Sequence, residues 1–262
     1  MKKLTLLFII SFLTINLFAL NISANYSITY GSLMELGIAK ATLETNDDNY
    51  KIVIEAKTTG MARYLTNNRI EVYESIGKVI KNEFFPSKFI KTKKNDFNSR
   101  VKEYTFDYKN QEILVKTTSD EKKKVLGENF KFKIKDEHSE SNEKLKFFAK
   151  DDLLSLFFNL NKKILSYEEN KEYSLKAVGA NKDNGKIDIL IPIENKLIEL
   201  ENILNRDNEK KFITYINQNI FGSEKGELFI SLNNEGFCTK AVLKDVLLFG
   251  DIVGEISNFK VE

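Results

Sequence analysis

The sequence predicts an all-β fold, mainly antiparallel, in which a curved sheet forms a barrel, half-barrel or sandwich with one apolar helix packed on it near residues 152–160. Three observations predict it. Apolar and charged side chains alternate with a period of two along most of the chain, polar turn clusters separate the alternating runs, and one helical segment is apolar on nearly every side.

The chain opens with a positive start at Lys2 and Lys3, followed by an uncharged apolar stretch from Leu4 to about Leu20. Ala24 then offers the small residue a peptidase requires, so residues 1–24 read as a cleavable signal peptide cut between Ala24 and Asn25. The stretch is near the lower length limit for crossing a bilayer, and Asn16 and Asn21 interrupt it, which favours cleavage over a retained anchor. No later segment is apolar enough to span a membrane. The expected location is the periplasm, with residues 25–262 forming a single β-rich domain. Within it, two sub-sheets (25–118 and 170–262) are joined by a charged excursion at 119–146 and by the helix.

Among the strands, Tyr50, Ile52, Ile54 and Ala56 share one face and Lys51, Glu55 and Lys57 the other. Tyr104, Phe106 and Tyr108 alternate with Glu103, Thr105 and Asp107, and Phe130, Phe132 and Ile134 with lysines. Ile187, Ile189, Ile191 and Ile193 repeat the pattern. One wet and one dry face is the mark of antiparallel strands, since parallel strands are usually buried on both sides. Turns are expected at Asn46-Asp47-Asp48-Asn49, Lys109-Asn110, Asn181 to Gly185, and Asn233-Asn234-Glu235-Gly236. Residues 196–204 also read as a strand, and a short helical turn is expected at Gly60 to Leu65.

For the main helix, Asp151 or Asp152 can accept backbone N–H bonds at the N-terminus, where a negative charge also suits the helix dipole. Leu153, Leu154, Leu156, Phe157, Phe158 and Leu160 follow. A helix this apolar must be covered. Phe147, Phe148, Leu154, Phe157 and Phe158 concentrate large side chains around it and have two readings. They are ordinary core, or they line an apolar cavity between sheet and helix that holds an acyl chain or an apolar segment of a client protein.

Inventory argues against most chemistry. The chain has 40 basic and 38 acidic residues; without Lys2 and Lys3 the count is 38 against 38, so no net basic field draws the domain to nucleic acid. Cys238 is the only cysteine and His138 the only histidine, too few for a zinc or copper site, and no cofactor is expected. Cys238 reads as a small buried hydrophobe and His138 as a surface residue. No nucleophile elbow, phosphate-binding loop or zinc-protease motif occurs. Asp151 and Asp152 are explained by capping. The acidic turns could ligate calcium, but hairpins use the same residues.

Several segments resemble, in order, the DUF3108 family of exported bacterial proteins of unknown function. These are Tyr26 to Gly31, Leu36 to Leu43, Tyr50 to Gly60, the Glu74-Ser75-Ile76-Gly77 turn, Phe85 to Phe89, and Asp152 to Phe158. The last is similar to a "D-P-L-S-A-x-Y" helix start, with Leu153 in place of the proline and Phe158 in place of the tyrosine. A role for that tyrosine hydroxyl therefore does not carry over. The resemblance implies a β-rich envelope protein and no known activity.

The expected function is thus a non-catalytic periplasmic binding module for a lipid or other apolar ligand. The alternative is a structural or interaction protein of the cell envelope that meets a protein partner through its sheet edges or the 119–146 excursion.

Overall fold

The computed structural model describes residues 20–31, 34–126, 132–164, 170–215, 223, 225–246 and 250–262. Most of the expected leader (residues 1–19) and Phe130 of the excursion lie outside the described residues.

Eight strands build the first arm: β1 Leu20–Tyr30, β2 Met34–Asn46, β3 Asn49–Thr58, β4 Ile70–Ile80, β5 Glu83–Lys94, β6 Asn98–Asp107, β7 Glu112–Leu126 and β8 Phe132–Lys144. A six-residue helix, α1 Gly60–Leu65, follows β3 where a helical turn is expected. Then come the two-residue β9 Asp151–Asp152 and α2 Leu153–Lys163. The second arm is β10 Lys171–Val178, β11 Lys186–Ile191, α3 Glu194–Leu204, β12 Lys210–Tyr215, β13 Glu227–Leu232, β14 Cys238–Val246 and β15 Gly250–Val261.

The strands form one sheet, in the order β8-β7-β6-β5-β4-β3-β2-β1-β15-β14-β13-β12-β11-β10-β9. All neighbours are antiparallel except the short β9–β10 pair. The two expected sub-sheets are therefore arms of a continuous sheet, joined where the first described strand meets the last, with Ile22 opposite Val261 and Ala24 opposite Phe259.

The sheet is not closed, yet it curls strongly. In the strand order β5 and β10 stand ten places apart, a separation of about 50 Å in a flat sheet. Even so, Gly179, just after β10, lies against Phe89 of β5. A sheet this wide must curl to cover its apolar face. One core gathers residues from both arms, including Ile22, Leu43, Ile52, Phe89, Tyr104, Ile113, Val178 and Phe237. On the first arm the opposite face stays wet, as the alternation predicts; Lys51 and Glu74, for example, pair across β3 and β4 at 2.8 Å.

The second arm is dry on both faces. Phe212 and Ile230 pack with α2 residues such as Leu156 and Leu160. Their sequence neighbours Ile213 and Phe229 pack with Leu200 and Leu204 of α3 on the other side. Alternation fails there because two helices, not one, cover that arm.

The strand expected at 196–204 is a correction: it lies within α3. Leu197, Leu200 and Leu204 recur at helical spacing, and the last two are fully buried. Asn205 ends the helix in the left-handed region at φ 46°. The excursion, by contrast, is a long hairpin, β7–β8, at the edge of the sheet, where Phe132 and Ile134 are 72% and 66% exposed.

Candidate binding groove

Of the five aromatic and aliphatic residues expected around the helix, Leu154, Phe147, Phe148 and Phe158 belong to the core shared by both arms, and Phe157 packs with the second-arm core. Phe158 meets Phe84 and Phe237 edge-on, with ring centres at 5.9 and 5.0 Å, and Phe148 meets Tyr108 at 5.8 Å. These are ordinary core contacts. The five residues do not converge on one space.

What holds α2 in place is polar. Asp152 is fully buried and caps the helix, accepting from the N–H groups of Leu154 (2.8 Å) and Ser155 (3.0 Å). The Asp152 N–H donates in return to Ser155 Oγ at 3.0 Å, completing a capping box. Its second carboxylate oxygen accepts from Ser75 Oγ on β4 at 2.6 Å. Because Ser75 has one proton and gives it to Asp152, the 2.9 Å contact between Tyr50 and Ser75 is donated by Tyr50. Tyr50, Ser75, Asp152 and Ser155 come from three separate segments of the chain, and here they form one hydrogen-bonded string. Burial pushes the Asp152 carboxyl up to about 7, with neighbouring Asp151 adding to the effect, while the bonds from Ser75, Ser155 and Leu154 oppose it.

Asp151 is held separately, by Lys163 at 2.9 Å and Asn159 at 2.9 Å. Asn159 also exchanges a pair of bonds, both 2.9 Å, with the backbone of Phe84 on β5. Both carboxylates are thus spent on fixing the helix across β4 and β5. They leave no free acid–base pair at this point.

Where the two arms come together lies an open groove of about 560 Å³. One wall is the inner face of β5 and β6, another the 143–147 segment, and the third the turn after β10. Tyr104, Leu145, Phe147, Gly179 and Ala180 supply apolar surface, and the rim is basic. Two glycines make this geometry possible. Gly179, at φ +92°, would place a Cβ 2.8 Å from Phe89 Cε1, and at Gly185, φ +69°, a Cβ would meet Phe147 Cε2 at 2.4 Å. Phe147 is the member of the expected ligand cluster that borders this groove. The sequence hides the basic wall, because lysines on a strand read as its wet face; the signal for it is that Lys91 and Lys93 share parity with buried Phe89.

The remaining candidates fall outside the groove. His138 is exposed and bonded to Asp120 at 2.7 Å. Burial, aided by Glu209, pushes the Cys238 thiol up to about 12, the opposite of an activated nucleophile. In the expected calcium turn, Asn181 Oδ1 accepts from the Asp183 N–H at 2.8 Å and so serves the turn itself. Among the described residues no three His, Cys, Asp or Glu side chains are grouped so as to hold a metal ion, and no helix is long and apolar enough to cross a membrane. Ala24 and Asn25, the expected cleavage point, lie inside β1, and Ala24 is fully buried.

Residues 25–150 match a protein family described as being of unknown function. No curated protein and no solved structure matches the chain.

Proposed function

Since residues 25–150 match the DUF3108 family, whose function is unknown, we propose a reading from the groove itself: a non-catalytic binding module of the periplasm for a lipid or other ligand with an apolar part. One observation carries it. The curled sheet stops short of closure and leaves about 560 Å³ open to the outside, with Tyr104, Leu145 and Phe147 along it. Ligand sites favour such concave, partly apolar clefts at the mouths of β-structures. Of the residues expected around the helix, Phe147 lines the groove. The basic start and apolar stretch of residues 2–20 support export. The commitment of Asp151 and Asp152 to structural bonds supports a role without catalysis.

Delipidated protein incubated with an envelope lipid extract and examined by native mass spectrometry tests this. Bound ligand is expected on the wild type and much less on Phe147→Asp. Empty protein in every preparation would overturn the reading.

A second reading, an envelope interaction protein, is favoured by the β8 edge strand, 13 residues long, with Phe132 and Ile134 exposed. Exposed edges of this kind are pairing sites unless guarded. Crosslinking in cells should then capture a defined protein, and removing residues 119–146 should abolish the capture.

A further inference from the structure

The groove has a charge pattern that needs an explanation. Along the inner face, Phe89 stands opposite Tyr104, and both are buried. On the next rung Lys91 stands opposite Lys102, and on the one after it Lys93 stands opposite Arg100. The dry stripe of the sheet thus runs directly into two like-charge pairs, an arrangement that destabilises a sheet. The adjoining strands do little to balance it. Tyr73 is opposite Lys91 on β4, and Thr117 and Ser119 are opposite Lys102 and Arg100 on β7. Glu71, opposite Lys93, already accepts from Tyr73 and Arg69 as well as pairing with Lys93 at 3.4 Å.

Seven basic and two acidic side chains line the groove. Lys93 and Lys144 pair with Glu71 and Glu112 outside it. Five cations then remain (Lys91, Arg100, Lys102, Lys146 and Lys182) against Glu143 and Asp183. Lys91 has its ammonium over the Tyr73 ring at 5.3 Å. Burial first, then Lys93, pulls it down to about 8. Lys102 is lowered by burial and by Arg100; Glu143 opposes this, and Lys182, in the turn of the other arm, adds a smaller lowering. A domain balanced in charge overall has concentrated positive charge at one partly sheltered place, on both sides of one opening.

We propose that this groove binds the anionic phosphate group of an amphiphile, with the phosphate oxygens between Lys91, Lys102, Arg100 and Lys182 and the apolar part along Tyr104 and Phe147. Charge-assisted bonds to a phosphate oxyanion are the strong ones, and a bound anion would relieve the repulsion across β5 and β6. The proposal rests on the binding reading above and adds the class of headgroup.

The test uses the exported chain and three soluble probes, monomeric dihexanoyl phosphatidylglycerol, dihexanoyl phosphatidylcholine and inorganic phosphate, with titration calorimetry as the readout. The anionic lipid should bind at least about 10-fold more tightly than the zwitterionic one, which corresponds to about 1.4 kcal/mol. Lys91→Met/Lys102→Met should erase that preference, weakening phosphatidylglycerol more than phosphatidylcholine, whose phosphate carries the same charge but is offset by its choline cation. The same double variant should melt higher than the wild type without ligand. A lower melting point would mean that the lysines are structural and would overturn the proposal. Arg100→Gln, at the exposed rim, provides a second variant and should lose several-fold in phosphatidylglycerol affinity. Equal binding of both lipids, unchanged by these variants, would overturn the anion site and leave the lipid reading standing. Inorganic phosphate binding as tightly as the lipid would keep the anion site and remove the amphiphile. No binding of any probe would end both.

Discussion

At the scale of single residues, Asp152 carries the most consequence. It joins the start of α2 to β4 through Ser75, and its removal strips a cap and leaves a buried hydroxyl without an acceptor. Asp152→Ala is expected to cost about 3 kcal/mol in urea unfolding. Its pH signature is distinctive. The folded-state value is raised above that of an unfolded aspartate, so the folded chain holds the proton more firmly. That contribution is fully present below about pH 4 and is lost as pH rises through about 7. Relative to Asp152→Asn, whose offset does not titrate, the wild type should therefore lose stability between about pH 4 and 7. An unchanged difference across that range would show the carboxyl to be ionised throughout. Gly179 is the second sensitive residue. Its φ of +92° and its contact with Phe89 leave no room for a side chain, so Gly179→Ala should cost about 2 kcal/mol by strain and crowding. The same change would displace Phe89, the residue next to the basic rungs.

Among the elements, β1 links the two arms and pairs along its whole length with β2, from Leu20 opposite Thr45 onward. Ile22 and Ala24 are core. A chain beginning at Asn25 would lose both, together with the pairing of residues 20–24, and should be roughly 2–4 kcal/mol less stable than one beginning at Leu20. Denaturation of the two purified chains measures the difference directly; equal midpoints would show that the first half of β1 contributes nothing. N-terminal sequencing of the protein recovered from cells would then distinguish a cut after Ala24, a cut after Ala19 (the small residue just before β1) and an uncut start. The helix α3 shows how element reading fails. Residues 196–204 contain Leu197, Ile198, Leu200, Ile203 and Leu204, a pattern short enough to fit either period. Packing decided it, because β12 and β13 present a second apolar face, and a helix covers such a face where a lone strand could not.

For the whole molecule, curling is the decisive feature. Fifteen described strands make a sheet too wide to lie flat, and by rolling β5 toward β10 it buries one face, seats α2 between the arms and leaves the groove where the arms come together. Tyr50, Ser75 and Asp152 illustrate why so little of the site was readable beforehand. Each belongs to a recognisable segment, yet Ser75 and Asp152 are 77 residues apart and nothing local requires them to touch. The same holds for Lys91, Lys102 and Lys182, which read as three solvated lysines on separate elements.

The amino-acid sequence by itself determined the antiparallel β class, the turns, the position and capping of α2 and the family of residues 25–150, because all of these depend on neighbours a few residues away or on motif order. Only the tertiary structure decided that the sheet stays open, that α3 is a helix, that the cluster around α2, readable as core or as cavity lining, packs into the cores with Phe147 also bordering a groove, and that basic residues expected to face water line that groove. These outcomes depend on which faces meet across ten strands of a curled sheet, and such meetings are governed by the burial of the whole apolar surface and not by the rhythm of any one segment.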